Sequence, residues 1–510
     1  MLGERFEYGG AGREHDPAWF ELVGESVRQE CCPVASIERA PVRREGYVAN
    51  VDDLWCRLVV VVRAAAAVVL SLGFVVTQEL STPMGDPEGL PRTAKQVARH
   101  GITWTFAGEH VVGTFANGDP WVLGPAEIIR IEPATQQANG RVRHGSMINP
   151  DPSSDVQGYD SELFGPDTLK RYDAKLNVAL GVSALQPLLL APAQSLVSVE
   201  SRATSSEAPI LQKAAVLTCV GTLPAPDAFR PPYVSGDKAV RFRAADLDFS
   251  CLRSLHPVAD VPLIETIAER FDRLWLDHIP GWIARYVHPA DNMPDYGRDI
   301  ASLVGSAALM LNLDSSETRK RRLLISVVQV GLDNYAALRG GCRWQGIGGH
   351  GHGRKLPILI AGHVLHDESM LNVGHDYESK AIKDGGKGAW FAEDGQTFYV
   401  RETSPGVWNW GHGNYTVEHD GLPEWGFSHC DHPDRDDVRW DANPYRRCCT
   451  GNAWLGQALA ARMMGLRTAW NHDPFFDYVD RYVQVDHAEG WHLSWVNWHP
   501  ALWAAYRSKF

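Results

Sequence analysis

The sequence predicts a multidomain α+β protein in which an N-terminal antiparallel β-sandwich precedes an α/α toroid. Short apolar runs separated by Gly, Pro, Asn and Asp occupy residues 101–250, and long amphipathic stretches occupy residues 258–510. Short, regularly spaced runs indicate strands, whereas apolar residues at helical spacing indicate helices. With 510 residues, 44% of them hydrophobic, the chain is long enough to bury more than one core.

Charge and aromatic content restrict the function. The formal net charge is -13, and acidic and basic residues are mixed along the chain. A nucleic-acid-binding protein usually carries a basic face, so we expect no nucleic-acid partner. The 18 Trp, which become frequent toward the C-terminus, offer flat surfaces for sugar rings, although Trp is also an ordinary core residue.

Residues 57–81 have the pattern of a signal peptide. The uninterrupted apolar run after Arg63 is shorter than the ~20 residues that a membrane span needs. Residues 1–56 lack periodic apolar patterning, and we interpret them as a leader produced by a start site placed too far upstream. We expect a secreted or periplasmic protein with no membrane span in its mature form, and a buried helix is the alternative. An even number of cysteines follows this segment, which permits disulfides in an oxidising compartment.

The β-rich part consists of short runs that end at turn residues. In chain order they are "ITWTFAG", "HVVGTFANG", "PWVLG", "EIIRIEP", "QSLVSVES" and "AAVLTCVG". Each has the length of a strand, and the Gly, Pro, Asn and Asp between them favour tight turns. We predict a strand for each run and an antiparallel sandwich for the set.

The α-rich part begins with "PLIETIAERFDRLWLDHIPGWIARYV", "GRDIASLVGSAALMLNL" and "SSETRKRRLLISVVQVGLDNYAALRG". In the third stretch Leu324, Val328 and Leu332 share one helix face, and Asp314 with Glu317 resembles a capping box. Further helices are predicted at "RKLPILIAGHVLHD", "GNAWLGQALAARMMG" and "PFFDYVDRYVQ". Helix pairs joined by long loops are typical of an α/α toroid that carries its site in the loops at one end.

The segment "GGHGHGRK", Gly348 to Lys355, is the strongest candidate site. His350 and His352 lie two residues apart, a spacing that suits two metal ligands, so a divalent metal such as Ca or Zn is one interpretation. No H-E-x-x-H or C-x-x-C motif supports it, and the ligand set stays unknown. Further candidate ligands are His363, His366, His412, His429, Cys430, His432 and His472.

An anion site explains more of this segment. Arg354 and Lys355 add positive charge, and the N–H groups of the following helix favour a carboxylate, sulfate or phosphate. Beside a bound carboxylate, His350 or His352 is placed to remove the proton from the carbon α to it. Neutralising the carboxylate makes that proton more acidic, as the first step of β-elimination in a uronate-containing polysaccharide requires.

Elimination also needs an acid for the leaving oxygen. Tyr445 in "NPYRRCCTGNAW" is the predicted acid, while Arg447 and Asn452 are predicted to bind the carboxylate together with Arg354. In the alternative interpretation Tyr445 packs in the core and the neighbouring arginines pair with the aspartates of residues 434–437.

Other polar and aromatic side chains are predicted to bind the substrate. Tyr296 and Arg298 open one predicted helix, and Asn471 and His472 open another. Polar residues at such positions are often only helix caps. The remaining predicted substrate-binding residues are Lys355, Trp344, Trp410 and His412.

The whole resembles the secreted polysaccharide lyases that combine an α/α toroid with a β-sandwich, the alginate-lyase and heparinase-like group. "GGHGHGRK", "YRRCCTGN" and the Trp content carry the resemblance, which covers Gly101 to Phe510 in architecture. The resemblance implies a lyase that cleaves an acidic, uronate-containing polysaccharide by β-elimination.

Two other functions are consistent with the sequence. A glycoside hydrolase on the same toroid needs two carboxylates that face each other, for which Asp299, Asp333, Glu393 and Glu424 are candidates. A non-catalytic glycan-binding protein would use the sandwich and the Trp faces alone. The long polar loops favour an enzyme, since a structural toroid needs only short connections.

Overall fold

The computed structural model describes residues 90–162, 171–203, 208–346, 348–378, 389–409, 415–426, 446–485 and 496–510. Residues 1–56 and 57–81 lie outside these ranges, as do Trp410, His412, His429, Cys430, His432 and Tyr445. For Arg447 the backbone alone is described. Glu88–Phe510 form one compact unit. Strands dominate the first part of this unit and helices the second, so the predicted α+β class is confirmed.

The strands are short, with one exception. In chain order they are β1 (Arg92–Arg99), β2 (Ile102–Thr114), β3 (Pro120–Leu123), β4 (Ala126–Glu132), β5 (Gln136–Ala138), β6 (Arg141–Arg143), β7 (Ser146–Ile148), β8 (Leu188–Leu190), β9 (Gln194–Ser201), β10 (Leu211–Val220), β11 (Thr397–Tyr399), β12 (Glu402–Ser404), β13 (Val407–Trp408) and β14 (Pro423–Trp425). The predicted runs "ITWTFAG" and "HVVGTFANG" merge into the 13-residue β2.

Eight strands form a single sheet in the order β7, β9, β10, β3, β2, β4, β8, with β1 paired to β2. Its pairings are antiparallel apart from the parallel contact of β3 with β10. The sheet is curled into a half-barrel, and the predicted two-layer sandwich is not confirmed. Register shifts at Ala94–Gln96 and at Thr105–Phe106 break the regular pairing of β2 on both sides, and such irregularities increase local twist.

Both faces of the sheet are buried. On β9, Leu196 belongs to a core with Trp104 and Leu217. Its neighbour Val197 belongs to a second core that includes Leu276. Successive side chains of a strand point to opposite faces, so β9 contributes to both cores. One face of the sheet therefore forms a core made largely of residues from the strands themselves. The other face packs against the segment that leads into the helices.

The helices follow the predicted pattern closely from residue 297 onward. In chain order they are α1 (Ile264–Phe271), α2 (Gly297–Leu311), α3 (Glu317–Arg339), α4 (Lys355–Leu365), α5 (Glu368–Leu371), α6 (Val373–Asp376), α7 (Ala392–Gln396), α8 (Asn452–Met463), α9 (Arg467–Trp470), α10 (Asp473–Val485) and α11 (Trp498–Tyr506). The most extensive helix contacts are those of α2 with α8 and of α3 with α4. The N-cap of α3 is Ser316, whose side chain accepts the N–H of Arg319 at 3.4 Å.

The first predicted helix is much shorter in the structure. Of residues 262–287, α1 is α-helical and Trp282–Tyr286 form a single 3-10 helix. Between them, Pro280 lacks a backbone donor and Gly281 has a φ of 76°, and both features interrupt helical hydrogen bonding. This irregular chain packs Leu276 into the core of the sheet.

A buried charged triad joins the sheet to the helices. Arg230 donates to Asp119, in the turn between β2 and β3, at 2.8 Å. The same guanidinium donates to both carboxylate oxygens of Asp333 in α3. All three residues are at most 4% exposed. Three guanidinium N–H groups thus pair with the two carboxylates away from water, and a fourth donates to the carbonyl oxygen of Pro231.

Two further observations bear on the sequence predictions. Within the described ranges no helix is long and apolar enough to cross a membrane. Cys449 is disulfide-bonded, whereas Cys219, Cys251 and Cys342 are free thiols.

Candidate functional site

The loop of residues 348–354 lies against the N-terminus of α2. A Cβ on Gly297 would stand 2.0 Å from the carbonyl oxygen of His350, and one on Gly349 would stand 2.6 Å from the hydroxyl of Tyr296. No side chain fits at either glycine without displacing the other element. The glycines of "YGR" and "GGHG" thus bring the tyrosine and the histidine together.

His352 is a core residue with both ring nitrogens engaged. Its Nδ1 accepts the indole N–H of Trp454 at 3.2 Å, so the ring proton must sit on Nε2, which donates to the carbonyl oxygen of Gly348 at 2.8 Å. The side chain is fully buried, and burial lowers its pKa to about 3. In this structure the predicted base His352 holds the loop to α8 and does not face a cleft.

Arg354 is also buried, with its donors directed into the protein. Its Nε and Nη2 donate to the two oxygens of Asp277 at 2.6 and 3.1 Å, and its Nη1 donates to the carbonyl oxygens of His350 and His352. Burial alone would raise the pKa of Asp277, but Arg354 and the nearby His288 outweigh it and lower that pKa to about 2. The carboxylate expected from a substrate is therefore supplied by Asp277.

Lys355 has an equivalent internal partner. Its ammonium donates to Oδ2 of Asp394 and to the carbonyl oxygen of Trp470, and the side chain is fully buried. The indole N–H of Trp470 donates to the other oxygen of Asp394 at 2.8 Å. Burial lowers the pKa of Lys355, and Asp394 opposes this shift.

The N-terminus of α4 carries a carboxylate of the protein itself. Oε1 of Glu393 accepts the backbone N–H of Gly353 at 2.7 Å and the side-chain N–H of Gln457 at 3.1 Å. Burial raises the pKa of Glu393. Three carboxylates of the protein thus lie where a bound anion was predicted: Asp277 pairs with Arg354, Asp394 pairs with Lys355, and Glu393 accepts the N–H of Gly353.

Four partly exposed side chains form a different group beside the loop, which we call the His350 cluster: Tyr296, Arg298, Asp299 and His350. The rings of Tyr296 and His350 meet edge to face with centroids 4.7 Å apart. The guanidinium of Arg298 lies 5.2 Å from the centre of the Tyr296 ring. Arg298 also forms an ion pair with Asp299, with Nε and Oδ1 2.7 Å apart. A base, a phenol and a cation are therefore adjacent.

Among the other predicted substrate-binding residues, Arg354 donates to the carbonyl oxygen of His350, whereas Asn452 and Asn471 bind residues outside the His350 cluster. Asn452 begins α8 and accepts the hydroxyl proton of Tyr482 at 2.9 Å. Asn471 ends α9 and donates to the carbonyl oxygen of Gly374 at 3.1 Å. These two asparagines have clear structural partners at helix termini.

Trp344 is packed in the interior, and His472 is partly buried. The Nε2 of His472 lies 2.9 Å from both the carbonyl oxygen and the hydroxyl of Thr397, and burial lowers its pKa. Trp344 is 2% exposed and stacks with Phe391. Most of the Trp side chains described are similarly buried. Those less than 2% exposed are Trp104, Trp121, Trp425, Trp454, Trp470 and Trp498. The Trp content therefore reports mainly on core packing.

The carboxylates proposed for a hydrolase are distributed among separate ion pairs. Asp333 binds Arg230, and Glu424 is fully buried and paired with Arg481. Glu393 caps α4, and Asp299 pairs with Arg298. Of these four, Asp299 is the partly exposed one, with 22% of its side chain accessible. Each of the four carboxylates therefore already has a partner within the protein.

A cavity with a volume of about 340 Å³ lies in another part of the structure. Its walls come from residues 229–242, from the C-terminal end of α3 and from Asp367, Ser369 and Met370. None of the site residues predicted from the sequence is among its described lining residues.

Sequence reasoning missed the internal partners of the loop. They are Asp277, Asp394 and Trp454, each of which contacts the loop or the first residue of α4. Gln457 is linked to the loop indirectly, because it donates to the Glu393 carboxylate that accepts the N–H of Gly353. A buried arginine and a buried lysine require counter-charges, so the need for partners was predictable. Their identity was not, since they lie on other elements.

Comparisons of the chain with protein-family models, with curated proteins and with solved structures gave no significant match.

Proposed function

We propose that the chain is a lyase that cleaves an acidic, uronate-containing polysaccharide by β-elimination at the His350 cluster. The observation that carries this proposal is the edge-to-face contact of Tyr296 with His350, with Arg298 beside the phenol ring. A base, an acid and a cation are the groups that elimination next to a carboxylate requires. All three side chains are partly exposed, which substrate access demands.

The proposed reaction assigns one role to each group. The imidazole of His350 removes the proton from the carbon α to the substrate carboxylate, while Arg298 stabilises the negative charge that develops there. The electron pair of the broken C–H bond forms a C=C bond to the β-carbon, and the C–O bond to the leaving sugar breaks. The phenol of Tyr296 gives its proton to the leaving oxygen. Tyr445, the acid predicted from sequence, stays a prediction.

The buried groups beneath the loop act as positioning residues in this proposal. Arg354 donates to the carbonyl oxygen of His350 at 3.1 Å and is itself anchored by Asp277. The ring of His352 fixes the backbone at Gly348. A base must be held within hydrogen-bonding reach of the proton it removes, so rigid support of the loop favours catalysis.

We also propose that the helices form an α/α toroid and that the protein is secreted or periplasmic. The side-by-side contacts of α2 with α8 and of α3 with α4 support an α/α toroid. The disulfide at Cys449 supports export, because disulfides persist mainly in oxidising compartments.

The test is an assay of the ultraviolet absorbance of unsaturated uronates with a panel of polyuronates and glycosaminoglycans. We expect a rise on one class of substrate. His350→Ala and Tyr296→Phe should each lower kcat/KM by at least about a hundredfold, in line with the loss of a general base or acid. His375→Ala, at an exposed histidine in α6, is the matched control and should retain wild-type activity.

Other outcomes would favour the alternatives. New reducing ends without ultraviolet absorbance would indicate a glycoside hydrolase. Binding of a glycan without turnover would indicate a non-catalytic glycan-binding protein. Wild-type elimination by both His350→Ala and Tyr296→Phe would overturn the assignment of the His350 cluster.

A further inference from the structure

Three side chains with metal-binding chemistry converge at the end of α4 opposite to the loop. Oδ2 of Asp248 lies 3.0 Å from Nε2 of His366 and 3.5 Å from Sγ of Cys251. All three ligand atoms lie within 4.8 Å of one another. We propose that they form a binding site for a divalent transition metal of the zinc type, independent of the proposed lyase site.

The separations fit a tetrahedral metal. Zinc bonds of about 2.0–2.3 Å place neighbouring ligand atoms of a tetrahedron about 3.3–3.8 Å apart. The separation of 3.5 Å between Asp248 and Cys251 lies within this range, and the separation of 3.0 Å between Asp248 and His366 is only a few tenths of an ångström too short. Three protein ligands leave one corner for water, as in zinc sites that are open to solvent.

The local sequence explains why Asp248 and Cys251 lie together. Residues Phe249–Cys251 form a 3-10 helix with Asp248 as its N-cap. Side chains three residues apart lie on the same side of a 3-10 helix. Oδ1 of Asp248 accepts the N–H of Ser250 at 2.9 Å, which leaves Oδ2 as the oxygen directed to the other two ligands.

His366 reaches the site from the C-terminus of α4. It ends the helix with a φ of 54°, a left-handed conformation in which glycine or asparagine is usual. The backbone N–H of Asp248 donates to the carbonyl oxygen of Val364 at 2.8 Å, and the thiol of Cys251 points to the carbonyl oxygen of His363. These bonds hold the two segments together, so the ligands are arranged before a metal binds.

The ligand types restrict the metal. Thiolate and imidazole favour zinc and similar transition metals, whereas calcium and magnesium require oxygen ligands. The charges of a carboxylate and a thiolate would neutralise a divalent ion. Of the described free thiols, Cys251 is the accessible one, because Cys219 and Cys342 are buried. Among the calcium and zinc ions expected from sequence, this site fits zinc.

Titration of the metal-stripped full-length protein with Co2+ tests the proposal. We expect one Co2+ per chain to produce a thiolate-to-metal charge-transfer band, and Zn2+ to remove the band by displacement. Cys251→Ser should abolish the band. His366→Ala should raise the Kd for Co2+ at least about tenfold, since even changes in the groups around metal ligands cost that much.

Matched variants separate this site from other histidines and from the lyase proposal. His366 is 67% exposed, so His366→Ala should fold normally. His375→Ala and His350→Ala should bind Co2+ like the wild-type protein, and His366→Ala should retain activity on the polysaccharide. Absence of the band, or a band of full strength in Cys251→Ser, would overturn the proposal while leaving the proposed lyase function unaffected.

Discussion

The carboxylate of Glu393 accepts the backbone N–H of Gly353 at 2.7 Å, directly before the first turn of α4. A helix N-terminus favours an anion because its N–H groups are unpaired and its dipole is positive there. In this protein the anion belongs to the chain. The segment "GGHGHGRK" is buried along most of its length and has a structural role there. His350 is its partly exposed residue.

Glu393→Gln should fold and should be at least as stable as the wild-type protein at neutral pH. Burial raises the pKa of Glu393, so its contribution to stability is present below the pKa of the unfolded chain and is lost as the pH rises. Glutamine is uncharged and can still accept the N–H of Gly353. Its amide also offers a donor to Oε1 of Gln457, a buried atom without a partner. Glu393→Ala should lose about 1–3 kcal/mol, because it leaves the Gly353 N–H unpaired.

Chemical denaturation of the two variants at about pH 7 and about pH 4.5 measures this difference. A Glu393→Gln variant as unstable as Glu393→Ala would show that the charged carboxylate itself is needed.

His352 and His350 should respond differently to the same substitution. His352→Ala should lower the free energy of unfolding by about 2–4 kcal/mol, since it removes a fully buried ring and leaves the indole donor of Trp454 unpaired. The carbonyl oxygen of Gly348 would keep its second hydrogen bond, from Gln396. His350→Ala should change stability by less than about 1 kcal/mol, because its ring is partly exposed. Urea denaturation of both variants provides the test, and an equal loss in both would contradict it.

The buried pair of Arg354 and Asp277 should contribute far more to stability than an exposed pair. Asp277→Asn should cost about 3–5 kcal/mol, because the charge of Arg354 would remain buried without its counter-ion. The matched control is Arg319→Ala, which removes the pair with Glu265, where both side chains are more than 40% exposed. That change should cost less than about 1 kcal/mol. Similar losses in the two variants would contradict the structural role of Asp277.

Buried neutral histidines should make the protein sensitive to mild acid. Burial lowers the pKa of His352 and His499 to about 3 and that of His278 to about 4, from an ordinary value of 6.5. Groups with a lowered folded pKa contribute stability above the unfolded pKa and lose it as the pH falls. The free energy of unfolding should therefore fall steadily below about pH 6.5, before the carboxylates are protonated.

His499→Asn isolates one of these histidines. Its unfolding free energy should fall less steeply between about pH 6 and about pH 4, by close to 1.4 kcal/mol per pH unit for one proton fewer. The variant also loses the hydrogen bond between Ser306 and Nε2 of His499, which lowers its stability at all pH values. The informative quantity is therefore the slope of the unfolding free energy against pH. Parallel curves for variant and wild type would mean that His499 titrates normally in the folded state.

Sequence periodicity determined much of the fold. The patterns that predicted α2, α3, α4, α8 and α10 reproduce their bounds to within about two residues, and the existence and type of long, strongly periodic elements are what sequence predicts best. The strand runs were also located correctly, because alternation and turn residues act over a few neighbouring positions. Tyr296, Arg298 and His350, which the structure places side by side, were each among the candidate residues predicted from the sequence.

Contacts between segments far apart in the sequence decided the parts of the fold that periodicity did not predict. Residues 272–281 resemble helix in composition, yet packing against the sheet and the Pro280–Gly281 break override that tendency. Strand pairing decided that the β-rich part is one curled sheet, because pairing partners are chosen by the whole core.

The charged residues of the loop show most clearly what the sequence determined and what the tertiary structure decided. The sequence by itself determined that glycines, two histidines, an arginine and a lysine occur together before a helix. Only the tertiary structure decided that Arg354 meets Asp277, 77 residues earlier, and that Lys355 meets Asp394, 39 residues later. The physical reason is that a buried charge is stable only beside its counter-charge, and the distance between them in space is unrelated to their separation along the chain.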